Sequence, residues 1–183
     1  MADQDKFLAS ARRVIAAEAD ALHALSASLD DSFAKAVTLL LEAKGRVIVS
    51  GMGKSGHIAR KIAATFASTG TPAHFVHPAE ASHGDLGMMT RGDVVLVLSN
   101  SGETPELADL VAYTRRFAIP MIGVASKPES TLLTRADVHD FRVGDFESLC
   151  LFLVRPGNQR LVQMSANSTP AASWARNCQK SRT

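Results

Sequence analysis

The sequence predicts a doubly wound α/β sandwich built on a parallel sheet. Three observations predict it. Five short runs rich in β-branched residues are spaced along the chain: "RVIVS" (46–50), "AHFV" (73–76), "VVLVL" (94–98), "MIGVA" (121–125) and "VHDFRV" (138–143). The first four are almost unbroken apolar stretches, the pattern of parallel strands covered on both faces. Between the runs lie helical patterns, at about 55–68, 79–89, 104–117 and 129–135, and such β-α-β-α alternation builds a parallel sheet with helices on its faces.

Two helices precede the first strand. Over residues 7–29, Leu8, Ile15, Leu22 and Leu29 recur every seven residues, with Ala11 and Leu25 on the same face. This helix either packs on its own domain or also covers a second subunit. Asp30-Asp31-Ser32 can cap a second helix whose apolar face is Phe33, Val37, Leu40 and Leu41, with Gly45 ending it. The sequence divides at about residue 150. Residues 151–183 form a basic tail with few large apolar residues and no helical period, a composition that predicts poor order.

Bulk properties narrow the function. The chain has 183 residues, 46% hydrophobic and 21% charged, as expected of a soluble globular domain. A net charge of +2 gives no strong field for nucleic acid. The two cysteines, Cys150 and Cys178, have no metal-like spacing, and the opening "MADQDKF" has no signal-peptide core. No apolar run has membrane-spanning length. A reduced, cytoplasmic protein without a membrane segment is expected. "NST" at 167–169 matches a glycosylation sequon only by chance in that setting.

In a parallel sheet, ligands bind where the carboxyl ends of strands lead into helices. Three such loops carry chemistry. The first is "GMGKSGH", residues 51–57, which fits G-x-G-x-x-G. A dinucleotide site also needs an acid at the end of the next strand, and "HFVHP" has none. A P-loop ending in Gly53-Lys54-Ser55 needs glycine at 48, where Ile48 stands. What survives is an anion-compatible helix start with Lys54 beside it, or else only a tight turn that requires glycine.

The second loop is "SNSGETPE", 99–106. Ser99, Ser101 and Thr104 offer hydroxyls and Asn100 an amide; Thr104 suits an N-cap, Pro105 the first helical position and Glu106 the first turn. A phosphate fits this arrangement better than a simple capped helix does. The third is "HPAEASHGDLGMM", 77–89, with His77, Glu80, His83 and Asp85. Its i, i+6 histidines do not match a helix-face zinc motif, so metal binding and proton transfer or carbonyl polarisation both stay open.

Together these stretches, with "STGTPAHFVHPAEASHGDLGM" joining the first two, closely resemble the sugar isomerase (SIS) domain, and within it the D-arabinose 5-phosphate isomerases. The resemblance covers about residues 5–147. It implies a five-stranded parallel sheet, usually a homotetramer, and interconversion of D-ribulose 5-phosphate and D-arabinose 5-phosphate without a cofactor. In Gram-negative bacteria that reaction feeds 3-deoxy-D-manno-octulosonate for lipopolysaccharide. The resemblance implies Lys54, Glu106, Glu147 and His83 as catalytic residues. It implies Ser55, Gly70, Thr71, His77, His83, Ser99, Asn100, Ser101 and Thr104 as substrate contacts, and His77 as a site of inhibitory zinc.

Relatives usually continue into paired CBS modules, for which this chain has no room. After Glu147 they have a "CP…GLAPT"-type loop and a later histidine, where this chain reads "SLCLFLVRPGNQRLVQ". Such a tail looks like a reading-frame change or a terminus of other origin. The alternative function is a non-catalytic sugar-phosphate-binding domain. A dinucleotide-dependent oxidoreductase is disfavoured by the missing ribose acid.

Overall fold

A computed structural model describes residues 2–142. Glu147, the loop 143–150 and the basic tail lie outside the described residues. Helices α1 (Ala2–Ser28) and α2 (Asp31–Glu42) lead into the alternating part. There follow β1 (Val47–Gly51), α3 (Gly53–Ser68), β2 (Ala73–Val76), α4 (Pro78–Ser82), β3 (Val94–Leu98), α5 (Ala108–Phe117), β4 (Met121–Ala125), α6 (Thr131–Arg135) and β5 (Val138–Arg142). The strands pair in parallel in the order β2-β1-β3-β4-β5. The chain therefore reverses its direction of winding at β1, and the crevice between the carboxyl ends of β1 and β3 is the switch point where such folds bind ligands.

Alternation along the buried strands sends side chains to two cores. Val47, Val49, Leu96, Leu98 and Val124 face α2 and α3, with Leu25 of α1. Ile48, Val95, Val97 and Met121 face α4, α5 and α6. Strands β1, β3 and β4 are buried throughout. Strand β2 is not: His74 is exposed on this edge strand, one flank of which has no neighbour among the described residues.

Four local expectations change. Helix α1 begins five residues before 7, where Asp5 complements the positive end of the helix dipole. The stretch 79–89 is not one helix: α4 stops at Ser82, Gly84 has φ 138°, and a 3-10 turn covers Asp85–Met88. The stretch 104–117 opens with a 3-10 turn, Pro105–Leu107. Helix α2 ends at Glu42, capped at its start by Asp30, which accepts the Ser32 N–H at 2.8 Å. Its most buried residue is Ala36, with Phe33, Leu39 and Leu40 packed on the core, so the inner face is rotated from the one the sequence suggests.

Gly45 serves a close approach rather than a helix end. A Cβ there would lie 2.2 Å from Asp93 Oδ1. Asp93, 1% exposed, uses both oxygens: Oδ1 accepts the Arg46 N–H at 2.7 Å, and Oδ2 the Thr90 N–H at 2.8 Å. This pin joins β1 to β3 at their amino ends. Helix α1, in contrast, keeps most of its apolar stripe in solvent: Leu25 is buried, but Phe7 is 72% and Ile15 66% exposed. Among the described residues, no helix is long and apolar enough to cross a membrane.

Candidate sugar-phosphate site

The glycine turn and the serine loop lie side by side at the switch point. Gly51 is paired with Leu98 across β1 and β3, so the residues that follow each leave the sheet together. The glycines are needed sterically. A Cβ on Gly56 would sit 2.6 Å from the Gly51 carbonyl oxygen, and one on Gly51 would sit 2.9 Å from that of Leu98. Gly53 adopts φ 56°, the left-handed region that favours glycine. This tight packing sets the first turn of α3 against the end of β1, with Lys54 exposed there and Ser55 buried.

The serine loop is closed on itself. Ser99, 3% exposed, accepts the Gly102 N–H at 3.0 Å, and its hydroxyl lies 2.8 Å from that of Thr104. One hydroxyl of that pair donates to the other, which leaves a single hydroxyl hydrogen between them for a ligand. Thr104 stands at the cap position, yet its side chain bonds Ser99 and caps nothing. Ser101 Oγ accepts the Glu103 N–H at 3.2 Å and stays partly exposed. Asn100 Oδ1 accepts the Ser126 hydroxyl at 2.6 Å, so its NH₂ is the group left to meet a ligand. Gly102, with φ 68°, approaches Ser130 so closely that a Cβ would touch its hydroxyl at 2.2 Å. Glu106 is exposed in the 3-10 turn that follows.

His77 follows β2 directly, at the same end of the sheet, since Val76 pairs with Ser50 and accepts its hydroxyl at 2.8 Å. Its ring packs edge-on to Phe75 with centroids 6.2 Å apart. His77 Nδ1 is buried and finds no hydrogen-bond partner among the described residues. His83 is exposed at the far end of α4. No group of three or more His, Cys, Asp or Glu able to hold a metal occurs among the described residues.

Two sequence-chosen residues are not brought to this crevice. Gly70 and Thr71 precede β2, and the Pro72 carbonyl pairs with Val47 at the amino end of β1. They lie at the opposite end of the sheet from His77, with the four residues of β2, about 13 Å of strand, between them. Sequence reasoning also passed over Glu103 within the serine loop, and Ser126 and Thr131, which brace that loop from just after β4 and from the start of α6. Their types suggest turns and caps; nothing local marks them as partners.

Comparison with known proteins places this geometry. The family model described as SIS domain matches residues 39–168, running past Glu147, where the resemblance carried by the motifs ends. The arabinose 5-phosphate isomerase KdsD of Pseudomonas aeruginosa is 54% identical over 159 residues, 86% of this chain and 48% of the relative. KdsD of Escherichia coli K12 is 49% identical over 133 residues, 73% of this chain and 40% of the relative. The chain spans about half the length of the curated relatives it matches. The solved structure of c3406 from E. coli CFT073, in complex with arabinose 5-phosphate, has a TM-score of 0.79 and 32% identity, covering 91% of this chain and 94% of that one.

Proposed function

This chain belongs to the SIS domain family, and from that premise we propose that it is an isomerase interconverting D-ribulose 5-phosphate and D-arabinose 5-phosphate. The observation that carries the reading is the 54% identity to a protein named arabinose 5-phosphate isomerase. An alignment over 86% of this chain crosses all three loops of the crevice. The arabinose 5-phosphate complex of a structural relative supports the same ligand class.

The residue types suit the reaction. A base removes the C2 proton of the aldose, beside the C1 aldehyde, to give an enediol. The proton then returns to C1 and leaves the carbonyl at C2. This takes a base, a group to steady charge on oxygen, and an anchor for the remote phosphate. We assign Glu106 as the base, Lys54 to the enediol oxygen and His83 to the carbonyl, with Glu147 a second carboxylate. Ser99, Ser101 and Thr104 hold the phosphate, and Ser55, His77 and Asn100 face the sugar. Binding energy from the anchor is then available to orient the reacting end. Proton transfer of this kind needs no cofactor.

Gly70 and Thr71 can join such a crevice only from a second copy of the chain, because their own strand holds them at its other end. That requirement, together with the exposed apolar stripe of α1, supports a homo-oligomer, and we assign a tetramer. We place the enzyme in the cytoplasm, supplying 3-deoxy-D-manno-octulosonate for lipopolysaccharide, with zinc at His77 as an inhibitor. The test is direct. Purified protein incubated with ribulose 5-phosphate in deuterated water should yield arabinose 5-phosphate carrying deuterium at C2, read by NMR. Binding without exchange would instead identify a non-catalytic sugar-phosphate-binding domain.

A further inference from the structure

The serine loop is held by more than its internal hydrogen bonds. Five hydrogen bonds fasten it to Ser126, just after β4, and to the first turn of α6. Asn100 receives two from Ser126, at 3.0 Å to its carbonyl and 2.6 Å to its side chain. The Leu132 N–H reaches the Gly102 carbonyl at 3.0 Å. Glu103 takes the remaining two from Thr131: the N–H at 2.6 Å on one carboxylate oxygen and the hydroxyl at 2.7 Å on the other. Ser130, at the cap position of α6, is a residue type that normally caps with its own hydroxyl. Here that hydroxyl is buried beneath Gly102 and finds no partner among the described residues. Glu103 caps α6 instead, from 28 residues earlier.

We propose that Glu103 is a positioning residue for phosphate binding, clamping the serine loop to α6 so that Ser101 and the loop amides keep their binding arrangement. The proposal rests on the reading of this loop as the phosphate anchor. The link is continuous: Thr131 holds the Glu103 carboxylate, and the Glu103 N–H holds Ser101 Oγ. The two Thr131 bonds hold the Glu103 carboxyl below its ordinary value, with a smaller contribution from Lys127. An acid beside Thr104 and two residues from Ser101 would otherwise repel the ligand, so its presence there calls for a geometric role. Glu103 and Thr131 are both exposed, and water can take the place of the lost bonds. Loss of the clamp should therefore affect binding more than folding.

The test measures Kd for inorganic phosphate and for D-arabinose 5-phosphate by calorimetry on the full chain, with the thermal midpoint of the ligand-free protein alongside. Glu103→Ala should weaken both ligands about tenfold, the loss expected from roughly one well-made hydrogen bond's worth of order. Its thermal midpoint should hardly move. Glu103→Gln keeps an acceptor for the Thr131 N–H and a group facing its hydroxyl, and should restore most of the affinity. Wild-type or tighter binding by Glu103→Ala overturns the proposal, as does a Gln variant as weak as Ala. If Glu103→Ala does not fold, Thr131→Val decides: unchanged phosphate affinity overturns the clamp. A wild type that binds neither ligand overturns the anchor reading itself, and the clamp with it.

Discussion

Asp93 allows a stability prediction whose size follows from its contacts. It is 1% exposed and its two oxygens accept two backbone N–H groups, from Arg46 and Thr90, with the Thr90 hydroxyl at 3.3 Å. The Arg46 guanidinium lies 3.7 Å away on a side chain 40% exposed. In Asp93→Asn one oxygen remains for one N–H, and the new NH₂ faces the other donor. Orphaning that N–H costs about 1–3 kcal/mol. The half-exposed ion pair adds about 0–1 kcal/mol. The sum is about 1–4 kcal/mol, or a fall of roughly 2–16 °C in the thermal midpoint for a chain of this size. Urea titration followed by circular dichroism should show a lower midpoint with an unchanged slope. Gly45→Ala supplies an internal control, because its Cβ must displace the same carboxylate. The double variant should cost clearly less than the sum of the two singles. Because the pin sits at the amino ends of the strands, ligand affinity per folded molecule should not change. An Asn variant within about 0.5 kcal/mol of wild type, below the range expected for an orphaned donor, would refute the argument.

The other predictions concern the site and the surface. Ser101→Ala should weaken binding of a five-carbon sugar phosphate by roughly 1–2 kcal/mol, the scale of one hydrogen bond to a charged group, measured by calorimetry. Glu106→Gln keeps the shape and removes the base, so deuterium from solvent should hardly enter the sugar; undiminished exchange would move the role to Glu147 or a histidine. Replacing Ile15, 66% exposed in the single chain, by Asp should lower the oligomeric state seen by sedimentation, and an unchanged state would show that α1 covers no second copy.

Much of the fold was legible because buried parallel strands leave a strong sequence trace. Val94–Leu98, Met121–Ala125 and Ala73–Val76 fall on the residues the apolar runs mark. The loops at their carboxyl ends followed from that, and so did the place of the crevice. What the pattern hid was long-range. The edge position of β2 depends on strand order, which a run of "AHFV" does not encode. The break at Gly84 was hidden by the helical spacing of the residues around it, and its φ of 138° is a turn conformation that glycine permits. Gly45 looked like a helix stop because glycine commonly serves as one; its use is to admit the Asp93 carboxylate, 48 residues later.

The site divides along the same line. Ser99, Ser101 and Thr104 could be read as a group because they are neighbours in sequence, but which hydroxyls face a ligand could not. Ser99 and Thr104 spend part of their hydrogen-bonding capacity on each other, and this follows only from the closed loop. Gly70 and Thr71 show the opposite limit. Their place before a strand, not after one, already set them at the amino end of a parallel sheet, since loops before and after a strand lie at opposite ends. The sequence therefore held enough to separate them from Lys54, Ser101 and Glu106 within one chain. A contact between the two groups is then a statement about two chains, which is why the oligomer and the site have to be tested together.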